Sequence, residues 1–254
     1  MSGRLEGKAV MVTGAGTGFG QQLAIKAAEE GAARVIVHYR SSAAGAEETA
    51  AGVRAAGAEA ALVQGDISVW DDIKRMAEEA GDLDVLVNNV GDMASSQTSW
   101  RELDEATIDH VLDVDIKGTM LMVHEFGVRM LDRGVRGAIV NIGSTVIVRG
   151  SPRAPIYAAG KYGLLGITKS YAKALAPHVR VNTFAPGFMD TPAVMNRPDM
   201  KSGRLEQLQR DTPMGRIPPP EDLTGAALFL ATDDAIHITG SYMICDGGYS
   251  MLGA

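Results

Sequence analysis

AVMVTGAGTGFGQQLAIKAAEEGA, residues 9–32, passes from a short apolar run through a glycine cluster into an alanine-rich stretch of helical character. Gly14, Gly18 and Gly20 carry no Cβ, so the backbone can turn sharply after the apolar run and leave the next helix N-terminus open to a pyrophosphate. A tight turn alone could use the same glycines. Their placement between a first strand and a first helix favours a dinucleotide site, with Thr17 and Phe19 inside the same turn.

Six further apolar runs recur along the chain: RVIV (34–37), AALV (60–63), DVLV (84–87), AIVNI (138–142), VRVNTF (179–184) and YMIC (242–245). Longer helical stretches separate them, which implies βαβ units. The runs are continuous rather than alternating, as expected of parallel strands covered on both faces. The expected fold is α/β: a Rossmann-like, doubly wound parallel sheet of about seven strands flanked by helices on both faces. Residues 1–254 are expected to form it as a single domain. Ligands of such sheets bind at the carboxyl ends of the strands. One composition shift, at 189–220, gathers Met and Pro without a long period. Its position after the sixth run favours a lid over the site, with a disordered loop as the other reading.

With 46% hydrophobic and 22% charged residues, the 254-residue chain is of ordinary globular composition. Asp and Glu number 31 against 24 Lys and Arg, for a net charge of -7. No basic run is long enough to track a phosphate backbone, so no nucleic-acid partner is expected. The lone Cys245 excludes an intramolecular disulfide and suits a reducing compartment. No segment has the length of a signal-peptide core or a membrane span, and a soluble cytoplasmic protein with no membrane partner is expected. His38, His110, His124, His178 and His237 lack ligand-like spacing, so no metal site is expected.

A second stretch, IYAAGKYG at 156–163, sets Tyr157 and Lys161 one helical turn apart. Alone, the pair would be read as exposed side chains on a helix. Together with the spacing Thr-Gly-x-x-x-Gly-x-Gly at 13–20, however, it resembles the short-chain dehydrogenase/reductase family. The resemblance runs along essentially the whole chain: NNVG (88–91), NIGS (141–144), YAAGK (157–161), PGFMDT (186–191) and DGG (246–248) follow in the family's order.

The resemblance implies a catalytic set of Ser144, Tyr157 and Lys161. Tyr157 would be the general acid in reduction and the base in oxidation, Ser144 would polarise the substrate carbonyl, and Lys161 would also hold the nicotinamide ribose. A phenol ordinarily titrates near pH 10, and a nearby cation favours its ionised form. The family usually has an Asn where VDIKG places Asp115; a carboxylate there would stabilise the Lys161 ammonium while opposing negative charge on Tyr157. The cofactor would be held by Gly14, Thr17, Gly18, Phe19 and Gly20, by Tyr39 and Arg40 after the second run, and by Asp66 and Ile67 after the third. Asn89, Gly91, Tyr157, Lys161, Pro186, Gly187, Phe188 and Thr191 complete the implied set. Asp66 could alternatively cap a helix with Ser68.

At the end of the second run, VIVHYRSS has no acid to accept from the ribose of NAD, while Arg40 could bind the extra phosphate of NADP. NADP(H) is favoured and NAD(H) is the alternative; Arg40 could also be a loop charge. The expected function is reversible hydride transfer between NADP(H) and a carbonyl or secondary alcohol. The alternatives are an NAD-dependent alcohol or steroid dehydrogenase and a dinucleotide sensor without turnover. Val146, Ile147, Val148 and Phe188 suggest an apolar substrate; Arg149 and Arg153 are expected at the surface, with an anion site as the other reading. The resemblance also implies a homotetramer.

Overall fold

Each apolar run becomes a strand: β1 (Ala9–Val12), β2 (Arg34–Tyr39), β3 (Glu59–Gln64), β4 (Val85–Asn88), β5 (Gly137–Ile142), β6 (Val179–Pro186) and β7 (Tyr242–Cys245). The computed structural model describes residues 3–91, 97–151, 153–197 and 200–251. Its α-helices are α1 (Gly18–Glu29), α2 (Ala43–Ala55), α3 (Trp70–Ala80), α4 (Glu105–Val111), α5 (Thr119–Asp132), α6 (Val146–Arg149), α7 (Pro155–Ala174), α8 (Pro192–Met195), α9 (Arg204–Asp211) and α10 (Glu221–Phe229). The strands form one sheet in the order β3-β2-β1-β4-β5-β6-β7, and every pairing is parallel.

Alternate side chains of a strand point to opposite faces, and here both faces are apolar. Val10 and Val12, Val35 and Val37, Val85 and Val87 pack into a core with α1, α2 and α10. The intervening Met11, Ile36 and Leu86 pack into a second core with α3, α5 and α7. Continuous apolar runs thus follow from burial on both sides. The chain winds from β1 to β3 in one direction and from β4 to β7 in the other, so a crevice opens where β1 and β4 lie side by side.

Between α4 and α5 the helix widens into a π-helical segment, Leu112–Gly118, with Asp115 buried on it. Such widened turns often mark functional positions. α7 presses closely against this segment: a Cβ on Gly160 would lie 3.1 Å from Asp115 Oδ2, and one on Gly163 only 2.6 Å from Ile116 Cδ1. The two glycines let the helices approach and bring Asp115 next to Lys161.

Instead of an irregular loop, 189–220 contains α8, a short 3-10 turn (Met200–Ser202) and α9. Val194, Met200 and Leu208 form a small apolar cluster there, joined by Phe188, Ile217 and Tyr249. Pro198 and Asp199, within the expected lid, lie outside the described residues.

Candidate active site

The glycine turn sits at the β1/β4 switch point. Gly14 and Gly18 have φ of +62° and +59°, the left-handed region that favours glycine. Gly20 has another reason to lack a side chain: its Cβ would lie 2.4 Å from Asn89 Nδ2 and 2.5 Å from the Gly14 carbonyl oxygen. It is buried behind the turn and does not line the cleft, whereas Gly14, Thr17, Gly18 and Phe19 do. Thr13 Oγ1 accepts from the Asn89 and Val90 amides at 2.9 and 3.1 Å, and Asn89 Nδ2 donates to the Thr13 carbonyl at 3.0 Å. These bonds tie the turn to β4.

From this turn a cleft of about 1080 Å³ runs along the carboxyl ends of the strands. At one end, after β2 and β3, it is lined by Tyr39, Arg40, Asp66 and Ile67; at the other, after β5 and β6, by Ser144, Tyr157, Lys161, Pro186, Gly187, Phe188 and Thr191. Asn89 and Gly91 lie between them on the cleft wall. The expected site residues therefore share one cleft, apart from Gly20 and Asp115.

Ser144 follows β5 by two residues, with its backbone gripped by a single phenol. Tyr242 Oη accepts from the Ser144 amide at 3.1 Å and donates to the Ser144 carbonyl at 2.5 Å. Burial pushes the Tyr242 phenol up to about 12, so it stays neutral and can make both bonds. Ser144 Oγ accepts from the Val146 amide at 3.2 Å, which leaves its own proton available to another acceptor. Tyr157 and Lys161 both lie on α7, with Lys161 Nζ 5.7 Å from the Tyr157 ring centroid. That ammonium is buried; it donates to the Ile142 carbonyl at 3.4 Å and lies 3.8 Å from Asp115 Oδ2. Asp115, itself buried, is thus placed behind Lys161, away from the cleft surface.

At the other end, Arg40 Nη1 lies 3.3 Å from Asp66 Oδ2, with 58% of the arginine side chain exposed. Arg40 is thus paired with Asp66 at the edge of the cleft. Asp66 Oδ1 accepts from the Ser68 amide and hydroxyl at 2.9 and 2.7 Å. The residue that caps α3 is Val69, so Asp66 closes a turn ahead of the helix instead of capping it. Burial acts to raise the Asp66 pKa, but the bonds from Ser68 and the charge of Arg40 hold it below the usual carboxylate range.

Residues 14–250 match the family model described as Enoyl-(Acyl carrier protein) reductase. The 3-oxoacyl-acyl-carrier-protein reductase FabG of Staphylococcus aureus strain Mu50 is 35% identical over 250 residues, covering 96% of this chain and 98% of the relative. The chain belongs to the short-chain dehydrogenase/reductase family. Its members are oxidoreductases that act on CH–OH and C=O groups with NAD(P), and this protein is one of them. Another relative, 3beta-hydroxysteroid dehydrogenase 1 of Eggerthella lenta, is 34% identical over 252 residues, covering 97% of this chain and 95% of its own. The solved structure of the angucycline C-6 ketoreductase LanV with bound NADP superposes with a TM-score of 0.89 at 29% identity, covering 99% of this chain and 98% of its own.

The cleft of this short-chain dehydrogenase/reductase suits a dinucleotide. Its volume is at the upper end of ordinary ligand sites. Two glycines on its wall also keep it open: a Cβ on Gly91 would lie 2.9 Å from Lys161 Nζ, and one on Gly187 2.7 Å from Asp246 Cβ. His38 supports the same turn. Its Nδ1 accepts from the Gly14 amide at 3.1 Å, so the ring proton is on Nε2, which faces the Gly65 carbonyl at 3.1 Å. The imidazole therefore links the loops after β1 and β3. Below the catalytic end, Asn88 Nδ2 donates to Asn141 Oδ1, Asn141 Nδ2 to Thr168 Oγ1, and Thr168 meets Thr183 at 2.7 Å. This buried chain joins β4, β5, α7 and β6. From sequence, His38, Tyr242 and Thr183 are only polar residues in or beside apolar runs, Asn88 and Asn141 belong to NNVG and NIGS without an assigned role, and Thr168, inside α7, has no signal.

Proposed function

We propose that the protein reduces a ketone to a secondary alcohol with NADPH, and catalyses the reverse oxidation. The observation that carries this reading is the convergence of Ser144, Tyr157 and Lys161 on one cleft continuous with the glycine turn. The nicotinamide, when bound, supplies the hydride or accepts it. Ser144 Oγ, with its proton turned away from Val146, donates a hydrogen bond to the substrate oxygen. The Tyr157 hydroxyl gives that oxygen its proton in reduction and recovers it in oxidation. The Lys161 ammonium steadies the negative charge left on the phenol oxygen, and Asp115 fixes the ammonium from behind.

NADP(H) is favoured over NAD(H) because β2 ends at Tyr39 and Arg40 follows it, with no acid at that strand end to accept from the ribose of NAD. The pairing of Arg40 with Asp66 is largely exposed, and such pairs are worth little, so a phosphate can compete for the guanidinium. We read the chain as a single domain in which 189–220 covers the substrate, since its apolar cluster rests on Phe188 and Tyr249. The homotetramer and the cytoplasmic location belong to the same proposal. The test is NADPH consumption by the purified protein with a panel of neutral ketones. Turnover supports the reading; binding of NADPH without turnover of any ketone would favour a dinucleotide sensor.

A further inference from the structure

The chain has more acids than bases, and most of its arginines have a carboxylate or backbone carbonyl to answer them. Arg4, Arg40, Arg75, Arg129, Arg133 and Arg216 lie within ion-pair distance of Asp or Glu. Arg34 and Arg180 donate to backbone carbonyls. Two arginines on the Ser144 side of the cleft each make a single hydrogen bond and no ion pair among the described residues. Arg149, the last residue of α6, lies 4.6 Å over the Tyr249 ring and gives one hydrogen bond, at 3.0 Å, to the Tyr249 carbonyl. Arg204, the first residue of α9, gives one bond at 3.1 Å to the neutral amide of Gln207. Among the described residues neither has an acid within ion-pair distance, and no Asp or Glu lines this end of the cleft. Arg153 and Arg197 line the same end.

A guanidinium has five N–H donors and keeps its charge at any ordinary pH. With one donor used in each, Arg149 and Arg204 retain a charge and most of their hydrogen-bonding capacity on the wall of a cleft. The same end of the cleft has an aromatic wall: Phe188 and Tyr249 meet edge to face at 5.7 Å, and Tyr249 is the ring beneath Arg149. Stacking also fixes the Arg149 guanidinium, so less freedom is lost when it binds an anion. The place is therefore built for a molecule with an apolar body and an anionic end.

We propose that the substrate is a carbonyl compound carrying a carboxylate or phosphate, bound by Arg149 and Arg204 beyond the Phe188–Tyr249 wall. This rests on the cleft being a carbonyl-reducing site and specifies what that site selects. Arg149 is exposed, as expected from sequence, and from that surface position it meets the anion.

Two matched pairs of probes test it: 4-oxopentanoate against its methyl ester, and acetoacetyl-CoA against the acetoacetyl thioester of N-acetylcysteamine. In wild-type protein, kcat/KM for the anionic member should exceed that for its neutral partner by at least about 10-fold. In the Arg149→Gln/Arg204→Gln double variant, that ratio should collapse toward one. Preference in the first pair alone identifies a carboxylate site, and in the second alone a phosphate site. Equal kcat/KM within both pairs, or a preference that survives the double substitution, would overturn the proposal. If no probe is reduced, the panel of neutral ketones decides the carbonyl-reductase reading separately. Calorimetric titration with 4-oxopentanoate and CoA then decides the anion site: binding weakened at least about 10-fold in the double variant supports it, and absence of wild-type binding rejects it.

Discussion

Acid should weaken this protein through one imidazole. His38 is 1% exposed, and burial, outweighing the nearby Asp66 and Asp72 carboxylates, pushes its pKa from 6.5 down to about 4. The folded state therefore keeps the ring neutral down to about pH 4, while the unfolded chain takes up a proton below pH 6.5. The stability associated with the neutral ring is complete above pH 6.5 and is lost as the pH falls toward 4. For that displacement, linkage gives a loss of about 2 kcal/mol by pH 5 and about 3 kcal/mol by pH 4. Protonation at Nδ1 would also remove the acceptor for the Gly14 amide and loosen the cofactor turn. The assay is urea unfolding of wild type and His38→Gln between pH 7.5 and pH 4. The variant should be less stable at pH 7.5, having lost bonds worth about 1 kcal/mol each. Its stability should nevertheless decline less steeply on acidification, with the difference in slope confined to pH 4–6.5. Parallel pH profiles for the two proteins would refute the reasoning.

Three further substitutions probe separate parts of the cleft. Arg40→Asp should move the ratio of kcat/KM for NADPH over NADH by at least about 10-fold toward NADH, equivalent to about 1.4 kcal/mol; an unchanged ratio would remove Arg40 from phosphate recognition. Asp115→Asn should leave an active enzyme in which the rise of alcohol-oxidation rate with pH sets in at lower pH, because a negative charge 3.8 Å from Lys161 is gone. Superimposable pH–rate profiles would show that the carboxylate does not act on the Tyr157–Lys161 pair. Tyr242→Phe removes both bonds to the Ser144 backbone and should lower kcat about 5- to 30-fold while cofactor affinity stays within about 2-fold. A kcat equal to wild type would mean that Ser144 holds its place without the phenol.

The sheet was legible because its physics is local. The inner strands are buried on both faces, so they appear in sequence as largely apolar runs, and AVMV and YMIC coincide with β1 and β7 residue for residue. The glycine turn and Tyr157–Lys161 were readable because each is a local pattern, which the resemblance along the rest of the chain then assigns to a site. What escaped depends on contacts between distant parts of the chain. Tyr242 reaches Ser144 across 98 residues, and His38 meets Gly14 and Gly65 across 24 and 27. In sequence each is an unremarkable residue at a strand edge. The π-helical widening around Asp115 has no periodic signature, because one altered turn inside a helix hardly disturbs the apolar spacing. α9 was hidden by its composition, RLEQLQRD, in which Leu208 alone is buried. Arg149 showed its situation only once Tyr249, 100 residues away, was folded beneath it.

The central claim is that the Tyr157 hydroxyl moves the proton in an NADPH-dependent ketone reduction, and Tyr157→Phe tests it most directly because it removes one oxygen atom and keeps the ring. Turnover of a neutral ketone substrate by wild type and variant should be measured at saturating NADPH, alongside the NADPH dissociation constant of each. The account predicts a fall in kcat of about 100-fold or more with cofactor affinity nearly unchanged. A variant that binds NADPH and turns over at close to the wild-type rate would contradict it.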